Sequence, residues 1–326
     1  MPAKKKTSAN NSILNKLLTF LANILTKAFM FVITLIVFGF IFITFLSIIT
    51  GGNFEDLDGN VAIIKIDGPI VAQDVELLFT DVSSSDSIGN FIRRAAEDDD
   101  IKAIVFEINS PGGSAVASDE IASEIKKVNK TTVAWVREIG TSGAYWIASS
   151  TDHIVANRMS ITGSIGVIAS YLEFSGFLEE HNVSYERLVS GKFKDLGSPF
   201  KDLTDAERRL FEDSLDDIHD AFVDEVAVNR NLTKRNVQKI ATGQFFLGSK
   251  AKELGLVDEL GSRDELIKYV EEQIGEEADF VRYRKQKGFL SALSQSFNEK
   301  SFFIGKGLGN AFFTEAEKPT SISIIT

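Results

Sequence analysis

The chain of 326 residues contains no cysteine, which removes disulfides, thiolate metal sites and a cysteine nucleophile and leaves either side of a membrane open. Histidine is almost as scarce, with three copies. His153 opens an apolar strand-like run, His181 ends a helix-like one beside Asn182, and His219 falls within a long helical pattern. None stands in the loop context that suits a triad base, although triads are assembled in space. Positive charge is in deficit, with 35 Lys and Arg against 46 Asp and Glu and a net charge of −11, so nucleic acid is not the expected partner. The most local absence is of charge altogether: from Ala28 to Gly52 there is no ionisable side chain.

That uncharged run would extend roughly 37 Å as a helix, against a bilayer hydrocarbon core of about 30 Å, so residues 28–52 are expected to span a membrane with some tilt. Lys4, Lys5, Lys6, Lys16 and Lys27 precede it with no acidic residue, whereas Glu55, Asp56 and Asp58 follow. By the positive-inside rule residues 1–27 are then a basic cytoplasmic N-terminus and the body lies outside the cytoplasm of a single-pass membrane protein. The rival reading is a cleaved signal peptide, but the apolar run is too long for an h-region and lacks an Ala-x-Ala site. Ile13 to Ile24, apolar around Lys16, either lies along the interface or lengthens the span.

A length of 326 residues accommodates one α/β domain of roughly two hundred residues plus accessory segments. Val61 to Ile66 reads as a strand closed by Asp67-Gly68-Pro69, Ser87 to Ala96 as a helix, and Ala103 to Ile108 as a buried strand. The triplet Asp98-Asp99-Asp100 points three ways and reads as a solvated loop rather than a metal site. Ser114 to Val128 carries a helical stripe, Thr132 to Val136 is a strand, and Ala144 to Ser149 is helical in composition. His153 to Ala156, Gly166 to Ala169 and Val183 to Val189 are strand-like. Thr204-Asp205-Ala206-Glu207 is a capping box opening a helix to about Asn229, long enough to pack on a neighbouring subunit as well as its own sheet. Thr233 caps a short helix, Ser262-Arg263-Asp264-Glu265 is a second capping box, and Phe280 to Arg284 reads as a last strand. Alternating strands and helices predict an α/β fold with a parallel sheet. The domain is bounded at 53–277, followed by a C-terminal extension, 278–326, whose tail from Thr314 has no pattern arguing for order.

Three glycine-bearing turns concentrate the chemistry. Asn109-Ser110-Pro111-Gly112-Gly113 ends a strand and opens a helix, so its N–H groups are expected free at a helix N-terminus. Gly140-Thr141-Ser142-Gly143-Ala144-Tyr145-Trp146 follows the next strand and sets Ser142 at the positive end of a helix dipole. If both turns meet at one sheet edge, Ser142 becomes a nucleophile beside an oxyanion hole. The third turn is Thr162-Gly163-Ser164-Ile165-Gly166-Val167. With Ser190-Gly191-Lys192-Phe193-Lys194-Asp195-Leu196-Gly197-Ser198-Pro199, these words in this order closely resemble the SppA-type signal peptide peptidases, membrane-bound Ser-Lys serine peptidases. The similarity runs from about Val61 to Gly261. It implies a ClpP/crotonase-like repeated β-β-α core.

A serine hydroxyl needs a base to take its proton. On sequence alone Lys194 is a solvated loop lysine; the resemblance makes it the general base and excludes Lys192 two places earlier. A lysine serves only when neutral, which from a reference pKa near 10.4 to about 8 means some 3 to 4 kcal/mol of bias. Ser164 is similar to the hydroxyl that orients that lysine, or it only tightens the Gly163 turn. Backbone N–H groups of Gly113 and Gly143 are the expected oxyanion donors. The implied activity is endoproteolysis of cleaved signal peptides or other membrane-associated peptides through an acyl-enzyme, by a homo-oligomer bound to membrane lipid, without cofactor or metal. Two alternatives stand beside it: a processing protease for a specific membrane protein partner, and a crotonase-like acyl-CoA enzyme, for which the chain offers no basic cluster to hold a CoA phosphate.

Overall fold

The computed structural model describes residues 6–49, 59–74 and 82–284. The chain divides into two units, Met1–Asp56 and Leu57–Thr326, each taken by itself below.

The first unit is one continuous helix, α1 (Lys6–Ile49). Within it Thr19–Phe45 has a mean hydropathy of 2.7 and no buried residue, long and apolar enough to cross a membrane. Ile13 to Ile24 therefore lengthens the helix. Thr26 and Thr34 hide their hydroxyls by donating back along the helix, to Ala22 O at 2.8 Å and Met30 O at 2.8 Å, which suits a surrounding without water.

The second unit opens with β1 (Val61–Asp67), β2 (Ile70–Val71), β3 (Ser83–Ser84), α2 (Ser85–Glu97), β4 (Ala103–Ser110) and α3 (Ala115–Ile125). It continues with β5 (Thr131–Thr141), α4 (Gly143–Ser149), β6 (His153–Ala156), β7 (Ile161–Gly163) and α5 (Ser175–Glu180). Then come α6 (Asp205–Asn229), α7 (Lys234–Ile240), β8 (Phe245–Leu247), α8 (Gly248–Glu253), β9 (Glu259–Leu260), α9 (Arg263–Ile274) and β10 (Phe280–Tyr283). The main sheet runs β10-β1-β4-β5-β6-β9, all parallel, with β7 beside β5 and β8 antiparallel to β7. β1, β4 and β5 each carry an unbroken apolar run, 61–64, 103–106 and 133–136, where both faces of the sheet are covered. One face, with Ile64, Phe106 and Val136, joins residues of α2, α3, α4 and α6; the other, with Val61, Val105 and Val133, joins Leu266 and Val270 of α9.

β5 is what positions the site. Val133 to Val136 pairs with β6, whereas Ile139 to Thr141 pairs with β7, so the sheet forks along β5, whose end is held between Ser110 of β4 and β7. α4 follows at once and is buried along its whole length, where Tyr145 donates to Leu256 O at 2.9 Å and the Trp146 ring stacks on Phe222 at 4.7 Å.

Both capping boxes form, Thr204 with Glu207 and Ser262 with Glu265, and Phe280 to Tyr283 is the expected last strand. Two expected strands do not form. Gly166 to Ala169 and Val183 to Val189 have no ladder; the strand lies just before Ser164 instead, as β7. The backbone from Gly166 leaves the sheet, and an alternating segment without a neighbour has no partner for its N–H and C=O groups. Glu55, Asp56, Asp58, the apolar patches from Gly288 to Gly309 and the tail from Thr314 lie outside the described residues.

Candidate active site

The Ser-Pro-Gly-Gly turn takes its shape from small residues. Ser110 Oγ accepts from Gly112 N at 3.1 Å, and Gly112 has φ +94, a backbone region in which side chains are strained. β2 then holds the turn from one side: Ile70 N donates to Gly112 O at 3.0 Å and Ser114 N to Ile70 O at 2.9 Å. In such a parallel bridge the N–H of the middle residue, Gly113, faces away from Ile70. No side chain fits at Gly113, since an added Cβ would lie 2.1 Å from Ile70 O. Ser114 caps α3 by accepting from Ala117 N.

Ser142 sits at the fork. Its N–H donates to Gly163 O at 2.8 Å, and its own carbonyl accepts from Tyr145 N and Trp146 N, which starts α4. Its φ of 54 and ψ of −127 put a serine where glycine is the relaxed residue, and the pairing on both sides holds it there. Gly143, the first helical residue, has a free N–H as every helix start does. A Cβ on Gly112 would lie 2.8 Å from Gly143 N and 2.9 Å from Ser142 Cβ, and one on Gly143 would lie 3.4 Å from Gly113 N. The two turns therefore meet. Neither the Gly113 nor the Gly143 N–H has an acceptor among the described residues. Thr141 Oγ1 ties the turns by donating to Pro111 O at 3.2 Å.

Ser164 follows β7 as Ser142 follows β5, and the pairing of Thr141 with Gly163 makes the two serines lateral neighbours. Thr162 Oγ1 donates to Gly140 O at 2.7 Å, locking the pair. Ser164 Oγ donates to Gly243 O at 3.1 Å, not to a lysine.

Lys194 lies on an exposed arm, 166–201. The loop around it is held by Asp195, whose carboxylate accepts from Arg187 Nε at 2.5 Å and Nη2 at 2.8 Å; the guanidinium, foremost, holds that carboxyl below its usual range. Lys201 reaches Glu207 at 2.5 Å, tying the arm to the start of α6. Lys194 itself is exposed, and its ammonium has no hydrogen bond or ion pair among the described residues. The Ser142 hydroxyl is likewise without a partner, so no bond joins Ser142, Ser164 and Lys194 within one chain.

The histidines are occupied elsewhere. His153 stacks on Tyr269 at 3.7 Å, His181 contacts Phe177 O at 2.9 Å, and His219 contacts Ala241 O at 3.0 Å.

Sequence reasoning missed the residues that support the turns: Ile70, Ser118 and Thr141. Ser118 is fully buried, donates to Ser114 O at 2.9 Å, and would stand 2.2 Å from a Cβ at Gly143. Its one sequence signal is its place four residues, one helical turn, after the α3 cap.

Comparison with known proteins bears on this geometry. The model of peptidase family S49 matches residues 124–276. A putative protease of Methanocaldococcus jannaschii is 32% identical over 229 residues, covering 69% of this chain and 72% of that protein. Protease 4 of Haemophilus influenzae is 30% identical over 227 residues, 69% of this chain but 36% of the larger protein. A putative signal peptide peptidase SppA of Enterococcus faecium is 34% identical over 206 residues, 62% of this chain and 60% of that protein.

Proposed function

The chain belongs to peptidase family S49, the serine peptidases of the SppA type, and from that premise we propose a membrane-anchored endopeptidase with Ser142 as nucleophile and Lys194 as general base. The observation that carries this reading is the junction itself: a serine held at positive φ between a strand and a helix, flanked by two glycine N–H groups with no acceptor.

In the proposed reaction Ser142 Oγ attacks the carbonyl carbon of a peptide bond and its proton passes to the neutral Lys194 amine. The Gly113 and Gly143 N–H groups receive the developing oxyanion, where donors fixed in advance lower the barrier most. Collapse expels the amine, which takes the proton from Lys194, and leaves an acyl ester on Ser142. Water then gives a proton to Lys194 as it attacks that ester, collapse expels the Ser142 oxygen, which takes that proton back from Lys194, and the product acid leaves and ionises in solvent. Ser164, beside Ser142 in the register, orients the lysine once it arrives.

The lysine must arrive from somewhere. Arm residues Ile168, Leu172 and Leu188 are 85%, 73% and 94% exposed, an apolar surface that a single chain leaves in water. Assembly of copies into a homo-oligomer covers it and carries each Lys194 to the Ser142 of a neighbour. The anchor is α1, whose unburied apolar length matches a bilayer, and the flanking lysines put the peptidase domain outside the cytoplasm. Peptides remaining in or near the membrane after cleavage, signal peptides among them, are the substrates such a tethered site meets.

A serine-directed fluorophosphonate should label the wild type and leave Ser142→Ala unlabelled. The kcat/KM of the wild type should rise with pH on the alkaline side of 7, whereas a histidine base would give its rise near about 6.5. Labelling of Ser142→Ala, or near-normal kcat/KM in Lys194→Ala, would overturn the assignment.

A further inference from the structure

We infer that the arginine-rimmed hollow on the α9 side of the sheet is the seat for the first half of helix α6 from a second copy of this chain. The inference rests on the assembly proposed above and adds which surfaces make it.

The hollow has a volume of about 750 Å³ and exists because α9 covers only part of its sheet face. Leu266 and Val270 pack on Val61, Ala103 and Val133, while Ser262 and Arg263, where α9 begins, stand at the hollow's edge. Ile63, Trp135 and Ile161 line it with apolar surface, and Arg137, Arg263 and Arg282 line it with charge. Arg137 is committed: it bonds the buried Glu107 at 2.6 Å and lies over the Trp135 ring at 4.6 Å. The other two are not. Arg263 meets the face of Phe280 at 5.9 Å, and neither Arg263 nor Arg282 has an ion pair among the described residues. Against them the lining holds one unpaired carboxylate, the exposed Glu138. An apolar floor beneath open guanidinium groups fits a partner that is apolar and acidic together.

Helix α6 offers that combination. Its second half is spent on the molecule's own core through Phe222, Val223 and Val226. Its first half buries Glu207 and leaves most other positions exposed. Leu210, Asp213 and Asp217 fall on one helix face by spacing, with Ile218 on the flank, and Leu210 and Ile218 are 39% and 37% exposed. Glu212, Asp213, Asp216 and Asp217 have no ion pair among the described residues. Seating this face brings apolar onto apolar and carboxylate onto arginine, the pattern of a helix in a groove. Because the two surfaces differ, the contact is heterologous, and repeating it builds a ring or a filament rather than a two-fold dimer.

The test uses the full chain in detergent, with mass read by light scattering across a dilution series and fold checked by circular dichroism. Arg263→Glu with Arg282→Glu should weaken assembly about tenfold or more, as should Asp213→Lys with Asp217→Lys. All four changes in one chain restore the charge pairing in reverse and should return assembly towards wild type. A monomeric wild type would sink the proposed assembly together with this inference. A wild-type assembly that the arginine pair leaves intact would sink this inference alone, even if that variant lost binding to vesicles containing phosphatidylglycerol or to an acidic peptide.

Discussion

If each Lys194 serves the serine of a neighbouring copy, two inactive chains should make an active assembly. Consider co-expression of a Ser142→Ala chain, which keeps the lysine, with a Lys194→Ala chain, which keeps the serine, under different affinity tags. Alone, each lacks one half of the proton transfer and should fall by several orders of magnitude, on the order of 10⁴ for such machinery. In a mixed ring a site is complete when a copy with its serine receives the arm of a copy with its lysine. At equal random incorporation that is half of one half, so the mixture should show about one quarter of the wild-type rate per subunit. Changing the ratio should trace a symmetric curve with its maximum at equal parts. The basis is structural: among the described residues Lys194 is exposed and unbonded, Ser142 is unbonded, and the arm that carries Lys194 leaves Ile168, Leu172 and Leu188 uncovered. The assay is hydrolysis of a fluorogenic peptide by assemblies purified through both tags in succession. Doubly tagged assemblies no more active than either parent would refute the exchange and return the lysine to its own chain's serine.

Two further outcomes are expected. Gly143→Ala should unfold or melt far below wild type, since its methyl would stand 2.2 Å from Ser118 Oγ; adding Ser118→Ala should recover much of the melting temperature but leave kcat/KM about a hundredfold down, because the methyl still crowds Gly113 N. Full recovery of turnover would remove the Gly113 N–H as an oxyanion donor. Glu207 is held at about 2 against an ordinary 4.5, by Lys201 first and then by Thr204. A carboxyl depressed on folding stabilises above its unfolded value and loses that contribution as pH falls from 4.5 towards 2. The wild-type melting temperature should therefore fall more steeply across that window than that of Glu207→Gln, and parallel curves would count against the network as the cause.

What could be read in advance was local. Strand β4, the turn after it and both capping boxes depend on neighbours within a few residues, and their side chains advertise it. The strands between Gly166 and Val189 were expected from the same alternation and are absent, because a strand needs a partner and none stands beside the arm. β7 and β8 were not expected: three residues each, they exist through pairing across more than eighty positions. At the site, Ser142 could be located from its glycines, whereas its support by Ser118, Thr141 and Ile70 comes from contacts no local pattern announces. The role proposed for Lys194 comes only through resemblance, since its own surroundings are those of an ordinary surface lysine.

The pairing of β1 with β10 sets Val61 beside Phe280, and this fixes a timetable for biosynthesis. At about 5 to 20 residues per second, translation takes roughly 10 to 40 s to travel from one to the other. Throughout that interval α1 and β1 have been made and one edge of β1 has no strand to meet, an open template for any extended chain nearby. The sheet that carries Ser142 cannot be completed until nearly all of the domain has left the ribosome. A chain interrupted before Phe280 would keep that bare edge for its whole lifetime.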